Sequence, residues 1–380
     1  MKILFCDLHD HSNILNWSGT TRSISKLVED MQNVEVVYLD DLYKEYSTLC
    51  VKLYNLMSRV TGKKYLSERS TSNLKLVGKK INQIVLETNI DAVFTVSSLV
   101  IPFIEKVPVY LYTDACFADM VDYYSYFTNI SKYSLRECHK YEKYALEKCT
   151  HIFYSSEWAR TGACKAYNIP KEKISVIRFG ANLENYFSED KIESIISARV
   201  NSLPIKLLFV GVDWERKGGD IALDAVALLR TMGIECILTI VGANPILSDE
   251  QKKYCYVEGF VDKTSKEGMK KMEELFEENH FFILPTKSEC TPIVFAESSA
   301  YALPVITNST GGCASMVKDG VSGIVLPEKS TALAYANAIK NLVSDFNKYE
   351  NLCRTAYTFY LSDLNWNVIK EKIENVLGGD

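Results

Sequence analysis

The sequence predicts an α/β chain built of two successive units, each a parallel sheet covered on both faces by helices. Two observations carry this. Apolar runs of strand length alternate with helical-period segments through residues 3–178, and the alternation restarts at residue 206 after a polar interval. The 380 residues suffice for two full cores.

The elements follow in order. Ile3–Leu8 reads as a strand, then a loop and a helix from about Ser23. Val34–Leu39 is a second strand, and Leu42–Thr61 and Leu74–Thr88 read as helices. Asp91–Val96 and Val107–Tyr112 are strands, Leu135–Cys149 a helix, His151–Ser155 a strand, Trp158–Tyr167 a helix and Ile174–Arg178 a strand. Residues 1–183 form the first domain. Residues 184–204 are polar with little sheet pattern and read as a linker. The second domain, 205–360, starts with strand Lys206–Val210, helix Asp220–Met232 and strand Cys236–Val241. A short strand lies within Tyr254–Val261, followed by helix Lys266–Glu277 and strand Phe281–Leu284. Helix Pro292–Ala302, strands Val305–Thr307 and Gly323–Leu326, and helix Thr331–Phe346 complete it. The amphipathic tail 361–380 carries Trp366, Ile369, Ile373 and Leu377. Strands separated by helices imply parallel order.

Hydrophobic content of 47% and charged content of 24% are those of a globular protein. The net charge of −5 does not suit nucleic acid. No secretory leader pattern opens the sequence, and no apolar run reaches membrane-span length. Eleven cysteines, an odd number without Cys-x-x-Cys, fit a reduced interior, so a cytoplasmic location is expected. Charge is uneven: residues 1–183 carry +3 and the remainder −8. Lys52 to Lys80 holds eight basic residues and one acid, interleaved with Leu53, Tyr54, Leu56 and Met57. Such a stretch either attaches the protein peripherally to the inner face of a membrane or is a solvated helical face over core residues.

The chemistry centres on Ser288-Glu289-Cys290-Thr291-Pro292-Ile293-Val294-Phe295-Ala296-Glu297. It follows a strand and opens a helix, with Thr291 expected as N-cap and Pro292 at the first helical position. Glu289 then sits above the strand end and Glu297 one and a half turns into the helix. A carboxylate beside a positive helix end, at the carboxyl edge of a parallel strand, suits a polar ligand, and carboxylates accept from paired hydroxyls. The run continues through Tyr301-Ala302-Leu303-Pro304-Val305-Ile306, Thr310-Gly311-Gly312 and Asp319-Gly320-Val321-Ser322-Gly323. As a whole it resembles the signature of the retaining glycosyltransferases usually numbered family four. That resemblance implies the GT-B architecture: two Rossmann-like domains facing across a cleft, with the C-terminal helix returning to the first. It implies that Glu289 contacts the transferred sugar and Glu297 the nucleotide ribose, with Thr291, Pro292, Ile293 and Val294 lining the donor site.

Expulsion of a nucleoside diphosphate needs cations or amide dipoles at the leaving group. Gly211-Val212-Asp213-Trp214-Glu215-Arg216-Lys217-Gly218-Gly219 offers both. It resembles the family's Gly-Arg-x4-Lys-Gly, except that Val212 stands at the arginine position; Arg216 is the candidate replacement. In the first domain the resemblance assigns Gly19 to a glycine loop and Asp114 to a donor-sugar contact, with Thr113 in place of the usual histidine. Gly19 also reads as a plain helix cap. The segment Val257–Val261, with Phe260, resembles the one that meets the nucleobase. No Asp-x-Asp occurs, and no further ligand can be placed with His9-Asp10-His11, so no metal and no cofactor are expected. The expectation is a metal-independent retaining hexosyltransferase. Its donor would be a UDP- or GDP-linked sugar, and its acceptor a sugar, a lipid-linked glycan or a protein. The competing classes are a non-hydrolysing sugar-nucleotide epimerase, a non-catalytic nucleotide- or carbohydrate-binding protein, and a glycosidase; the last has no use for a diphosphate loop.

Overall fold

The computed structural model describes residues 1–183 and 187–378. They form two compact units, one of Met1–Ile177 with the stretch from Lys370 onward, the other of Arg178–Ile369.

The first unit is a six-stranded parallel sheet. Its strands are β1 (Lys2–Cys6), β2 (Glu35–Leu39), β3 (Ala92–Thr95), β4 (Val109–Thr113), β5 (His151–Tyr154) and β6 (Ile174–Val176), in the order β2-β1-β3-β4-β5-β6. β3 is buried at every position, as a central parallel strand must be. The expected Leu42–Thr61 helix is broken. A single turn, Leu42–Glu45, is followed by the Thr48–Thr61 helix, because the Ser47 hydroxyl accepts from the Cys50 amide at 3.3 Å and restarts the chain as an N-cap. The Trp366–Leu377 helix ends in this unit: Lys370 Nζ donates to the Asp30 carbonyl at 3.2 Å, and Glu374 accepts from the Gln32 amide at 2.8 Å.

The second unit repeats the architecture with β7 (Ile205–Gly211), β8 (Cys236–Gly242), β9 (Cys255–Gly259), β10 (Phe281–Leu284), β11 (Val305–Asn308) and β12 (Gly323–Leu326). All pairs are parallel, in the order β12-β11-β10-β7-β8-β9. The order reverses between β10 and β7, which makes their carboxyl ends the topological switch point of this sheet, the place where open parallel sheets bind ligands.

Two sequence readings are corrected here. The 184–204 interval is not a plain linker: residues 184–186 lie outside the described residues, but Glu189–Val200 is a helix capped by Ser188. Ile192, Ile195 and Ile196 are buried in the second core. Arg199, on the same helix, is fully buried, and its guanidinium donates to the carbonyls of Phe276, Glu277, Tyr301 and Ala302 at 2.7–2.9 Å. Those carbonyls close the helices Lys266–Glu278 and Ile293–Ala300, where acceptors are left over and the helix dipoles are negative. The expected Thr331–Phe346 helix ends at Val343, since Asp345 caps a new helix, Phe346–Asp363.

Candidate functional site

The β7 loop makes a tight return to its helix. Gly218 has φ +75°, and a Cβ placed on it would stand 2.0 Å from the Pro285 carbonyl oxygen, so only glycine fits. A Cβ on Gly211 would stand 2.9 Å from the Lys217 side-chain stem, a milder conflict. The loops of β7 and β10 are laced together across the switch point. The Arg216 carbonyl accepts from the Lys287 amide at 2.8 Å and from the Thr286 hydroxyl at 3.2 Å. The β11 loop joins them, with the Gly312 amide donating to the Glu289 carbonyl at 3.2 Å.

This lacing brings three charges together. Lys217 Nζ donates to Glu289 Oε2, and Arg216 reaches the same oxygen at 3.3 Å. Arg216 also donates to the Ser288 carbonyl at 2.6 Å and pairs with Asp213 at 3.2 Å. Glu289 and Lys217 are mostly enclosed, so their attraction is weakly screened. Beside them Cys313 is fully buried, and burial, with the Glu289 charge, pushes its thiol well up, which makes it an inert packing group.

The helix after Glu289 spans Ile293–Ala300, with Pro292 as N-cap. Thr291 is therefore not the cap and Pro292 not the first helical residue. The extended ψ of 99° at Pro292 delays the helix by one position. Ile293 and Val294 supply first-turn amides that lack intrahelical acceptors. Glu297 sits on this helix with only 3% of its surface exposed. Both its oxygens are taken by Lys263 Nζ, at 3.1 and 2.9 Å. Lys263 escaped the sequence reading. It follows the Val257–Val261 segment by two residues, but nothing in its spacing links it to a glutamate 34 positions on. Phe260, just past β9, and Val212, just past β7, are each 70% exposed.

Asp114 and Gly19 belong to the first unit. Asp114 is half-buried directly after β4. Gly19 is the N-cap of the Thr20–Glu29 helix at φ +82°, and Trp17 and Ser18 before it are also left-handed, at φ +47° and +55°. At the same unit's β1 end lies a groove of about 870 Å³, walled by Leu8, His9, Tyr46, Lys52, Arg69 and Phe127 among others. Asp7, just after β1, is buried, and burial raises its carboxyl to about 7. The expectation that nothing joins His9-Asp10-His11 is corrected. Asp40, from the end of β2, holds His11 Nδ1 at 2.6 Å, and Asp10, His11 and Asp40 have ligand atoms within 4.8 Å of one another. His11 is further fixed by stacking on Tyr38 at 4.1 Å.

Residues 204–345 match the family model described as Glycosyl transferases group 1, which supports that family for the second unit. Among curated proteins, the alpha-D-kanosaminyltransferase of Streptomyces kanamyceticus is 23% identical over 57% of this chain and 56% of its own length. The amylovoran biosynthesis glycosyltransferase AmsK of Erwinia amylovora is 28% identical over 43% and 40%. The chain thus spans about half the length of the curated relatives it matches. Anabaena HepE, solved with UDP, superposes with a TM-score of 0.68 at 18% identity, covering 100% of both chains. The fold is accordingly that of GT-B glycosyltransferase structures, with two Rossmann-like units.

Proposed function

We propose that this protein is a glycosyltransferase that moves a hexose from a UDP- or GDP-linked sugar to an acceptor hydroxyl, with retention of anomeric configuration and without a metal ion. The observation that carries the proposal is the pairing of Lys217 and Arg216 with Glu289 across the switch point of the second sheet, next to the helix that holds Glu297. The family match of residues 204–345, the Anabaena HepE structure's UDP, and the two named transferases support the same class.

In this mechanism Glu289 neutralises the two cations until the donor arrives. The diphosphate then takes over Lys217, and the released carboxylate turns to the sugar hydroxyls. The first-turn amides of the Ile293–Ala300 helix add their dipole to the growing negative charge. Glu297 gives up Lys263 for the ribose hydroxyls, so its buried carboxylate is never left unpaired. Phe260 lies against the base. In the first unit, Asp114 and the Gly19 turn serve the donor sugar and the acceptor. Protein cations supply the charge that an Asp-x-Asp-bound metal would otherwise supply, and no such pair occurs in the sequence. The acceptor is a sugar, a lipid-linked glycan or a protein, and the reaction takes place in the cytoplasm.

The test is incubation with a panel of UDP-, GDP- and ADP-sugars, read as released nucleotide, with and without EDTA, and NMR of the product's anomeric coupling. Release with one donor, unchanged by EDTA, and an α-linked product from an α-linked donor are expected. Nucleotide binding without release from any donor, in the presence of sugar and lipid-linked acceptors, identifies a binding protein instead. A β-linked product removes retention from the proposal, and rescue by a divalent ion removes metal independence.

A further inference from the structure

The Thr48–Thr61 helix of the first unit turns an apolar ridge to solvent. Leu49, Leu53, Leu56 and Val60 are 77%, 51%, 56% and 77% exposed. Their spacing of four, three and four residues sets them in one line along the helix. The opposite face is the one that packs: Tyr54 is buried and donates to Glu137 at 2.7 Å, and Ser58 is half-buried. A surface helix ordinarily turns its apolar stripe inward. Here the stripe faces out, and the helix contains no acidic residue. Lys52 and Arg59, both exposed, line one flank of the ridge, and exposed Lys63 follows its Gly62 cap.

We propose that this ridge docks in the interfacial layer of an anionic lipid bilayer, the helix lying parallel to the membrane plane. An apolar line bordered by cations on a chain of net charge −5 fits acyl chains below and acidic headgroups around it. A second copy of the chain on the same ridge would bring Lys52 and Arg59 against themselves. No helix among the described residues is long and apolar enough to cross a membrane, so attachment is by the surface.

The structure also narrows the basic stretch. Arg69 is buried against Glu142 at 3.0 Å, and Lys64 is tied to the carbonyls of Ser125 and Tyr126. Neither is available to lipid, and the docking element begins earlier, at Leu49. The groove of the first unit shares Thr48, Val51 and Lys52 with this helix, so docking brings the groove to the headgroup layer. A lipid-linked acceptor in that groove rests on the transfer reading; docking itself does not.

The test is sedimentation of the full chain with phosphatidylcholine vesicles, with and without phosphatidylglycerol, at low and high salt. Wild type is expected to sediment with the anionic vesicles and to be partly released by salt. Leu53→Glu/Leu56→Glu should lose at least about 100-fold in partitioning at both salts, since two leucines no longer bury. Lys52→Glu/Arg59→Glu should lose at least about 25-fold at low salt and little at high salt, from about five-fold for each basic residue lost, with the new anions adding to it. All four substituted side chains are exposed, so unchanged melting temperatures are expected and report folding independently. Lys217→Ala should bind vesicles as wild type does, which separates docking from transfer. Absence of binding at both salts, or equal binding to neutral vesicles, overturns the proposal. So does lipid-free dimerisation in sedimentation velocity that Leu53→Glu/Leu56→Glu abolishes, because the ridge is then a self-interface.

Discussion

Substituting Gly218 by alanine tests how the β7 loop is held, and Gly233 supplies an internal control. Both glycines flank the Gly219–Thr231 helix and both are left-handed, at φ +75° and +83°. Alanine at either position meets the left-handed cost of about 1–2 kcal/mol. At Gly233 nothing lies within 4 Å of the new Cβ, so the cost should stop there. At Gly218 the Cβ would stand 2.0 Å from the Pro285 carbonyl oxygen and 2.7 Å from its carbon. Both are main-chain atoms at the end of a fully buried strand and cannot swing away. The loops must separate by about 1 Å, at a further ~1–3 kcal/mol of overpacking. That separation breaks the bonds from Thr286 and Lys287 to the Arg216 carbonyl, so Lys217 and Glu289 lose their register. The assay is hydrogen exchange of amides in β7 and the Gly219–Thr231 helix, together with titration of nucleoside diphosphate. Gly218→Ala should lower local stability by about 2–5 kcal/mol and weaken nucleotide binding, whereas Gly233→Ala should cost about 1–2 kcal/mol and leave binding intact. Equal losses in the two variants would refute the close-approach argument.

Lys217→Ala should reduce turnover by roughly 10²–10³, the loss of one preorganised charge contact at the leaving group; kinetics within three-fold of wild type, about 0.6 kcal/mol, contradict the role. Glu297→Gln should weaken nucleoside diphosphate binding about ten-fold or more, measured calorimetrically, because the amide donates where the ribose needs an acceptor. Lys263→Met should cost about 1–2 kcal/mol in urea unfolding, a buried-pair loss discounted because Lys263 is partly exposed. Lys263→Met/Glu297→Gln should recover most of it, and additive losses would reject the pairing. His280 is fully buried, accepts from the Lys206 amide at Nδ1 and meets the Arg199 carbonyl at Nε2, and burial lowers it to about 4. Its folded value lies below the unfolded 6.5, so the unfolded chain binds the extra proton first. Stability is therefore full above about pH 6.5 and falls as pH drops toward 4. The wild-type advantage over His280→Asn should shrink by about 3 kcal/mol across that window; a pH-independent difference would contradict the neutral assignment.

Central strands buried on both faces announce themselves as apolar runs, Phe281–Leu284 most plainly, and the half-exposed edge strands Glu35–Leu39 and Cys255–Gly259 were readable from their β-branched and aromatic residues between helical segments. Glu289 and Glu297 were readable because strand, loop and helix follow one another within a few residues. What the sequence hid was produced by tertiary pairing. Lys263 reaches Glu297 from a separate loop, and Asp40 reaches His11 from a separate strand, with no fixed spacing to betray either. The Glu189–Val200 helix was hidden for a different reason. Its Ile192, Ile195 and Ile196 do carry helical spacing, but the stretch is short and set among charged and polar residues, and its buried anchor near the end is a charged residue, Arg199, which a hydrophobicity pattern scores as surface. The breaks at Ser47 and Asp345 were written in ordinary capping residues but masked by apolar periodicity continuing on both sides.

Arg199 also decides where this protein can be cut. A second unit excised at residue 205, where its sheet starts, loses the one guanidinium that serves four carbonyls belonging to two other helices. Each orphaned carbonyl in a closed interior costs about 1–3 kcal/mol, so the four together cost about 4–12 kcal/mol, comparable to a domain's usual margin of stability. One of the two helices concerned carries Glu297. An excision that begins before Ser188 keeps the cap, the helix and the guanidinium together. The natural joint for swapping this unit between relatives therefore falls ahead of Ser188, well upstream of the first strand and of residue 204, where the family match begins.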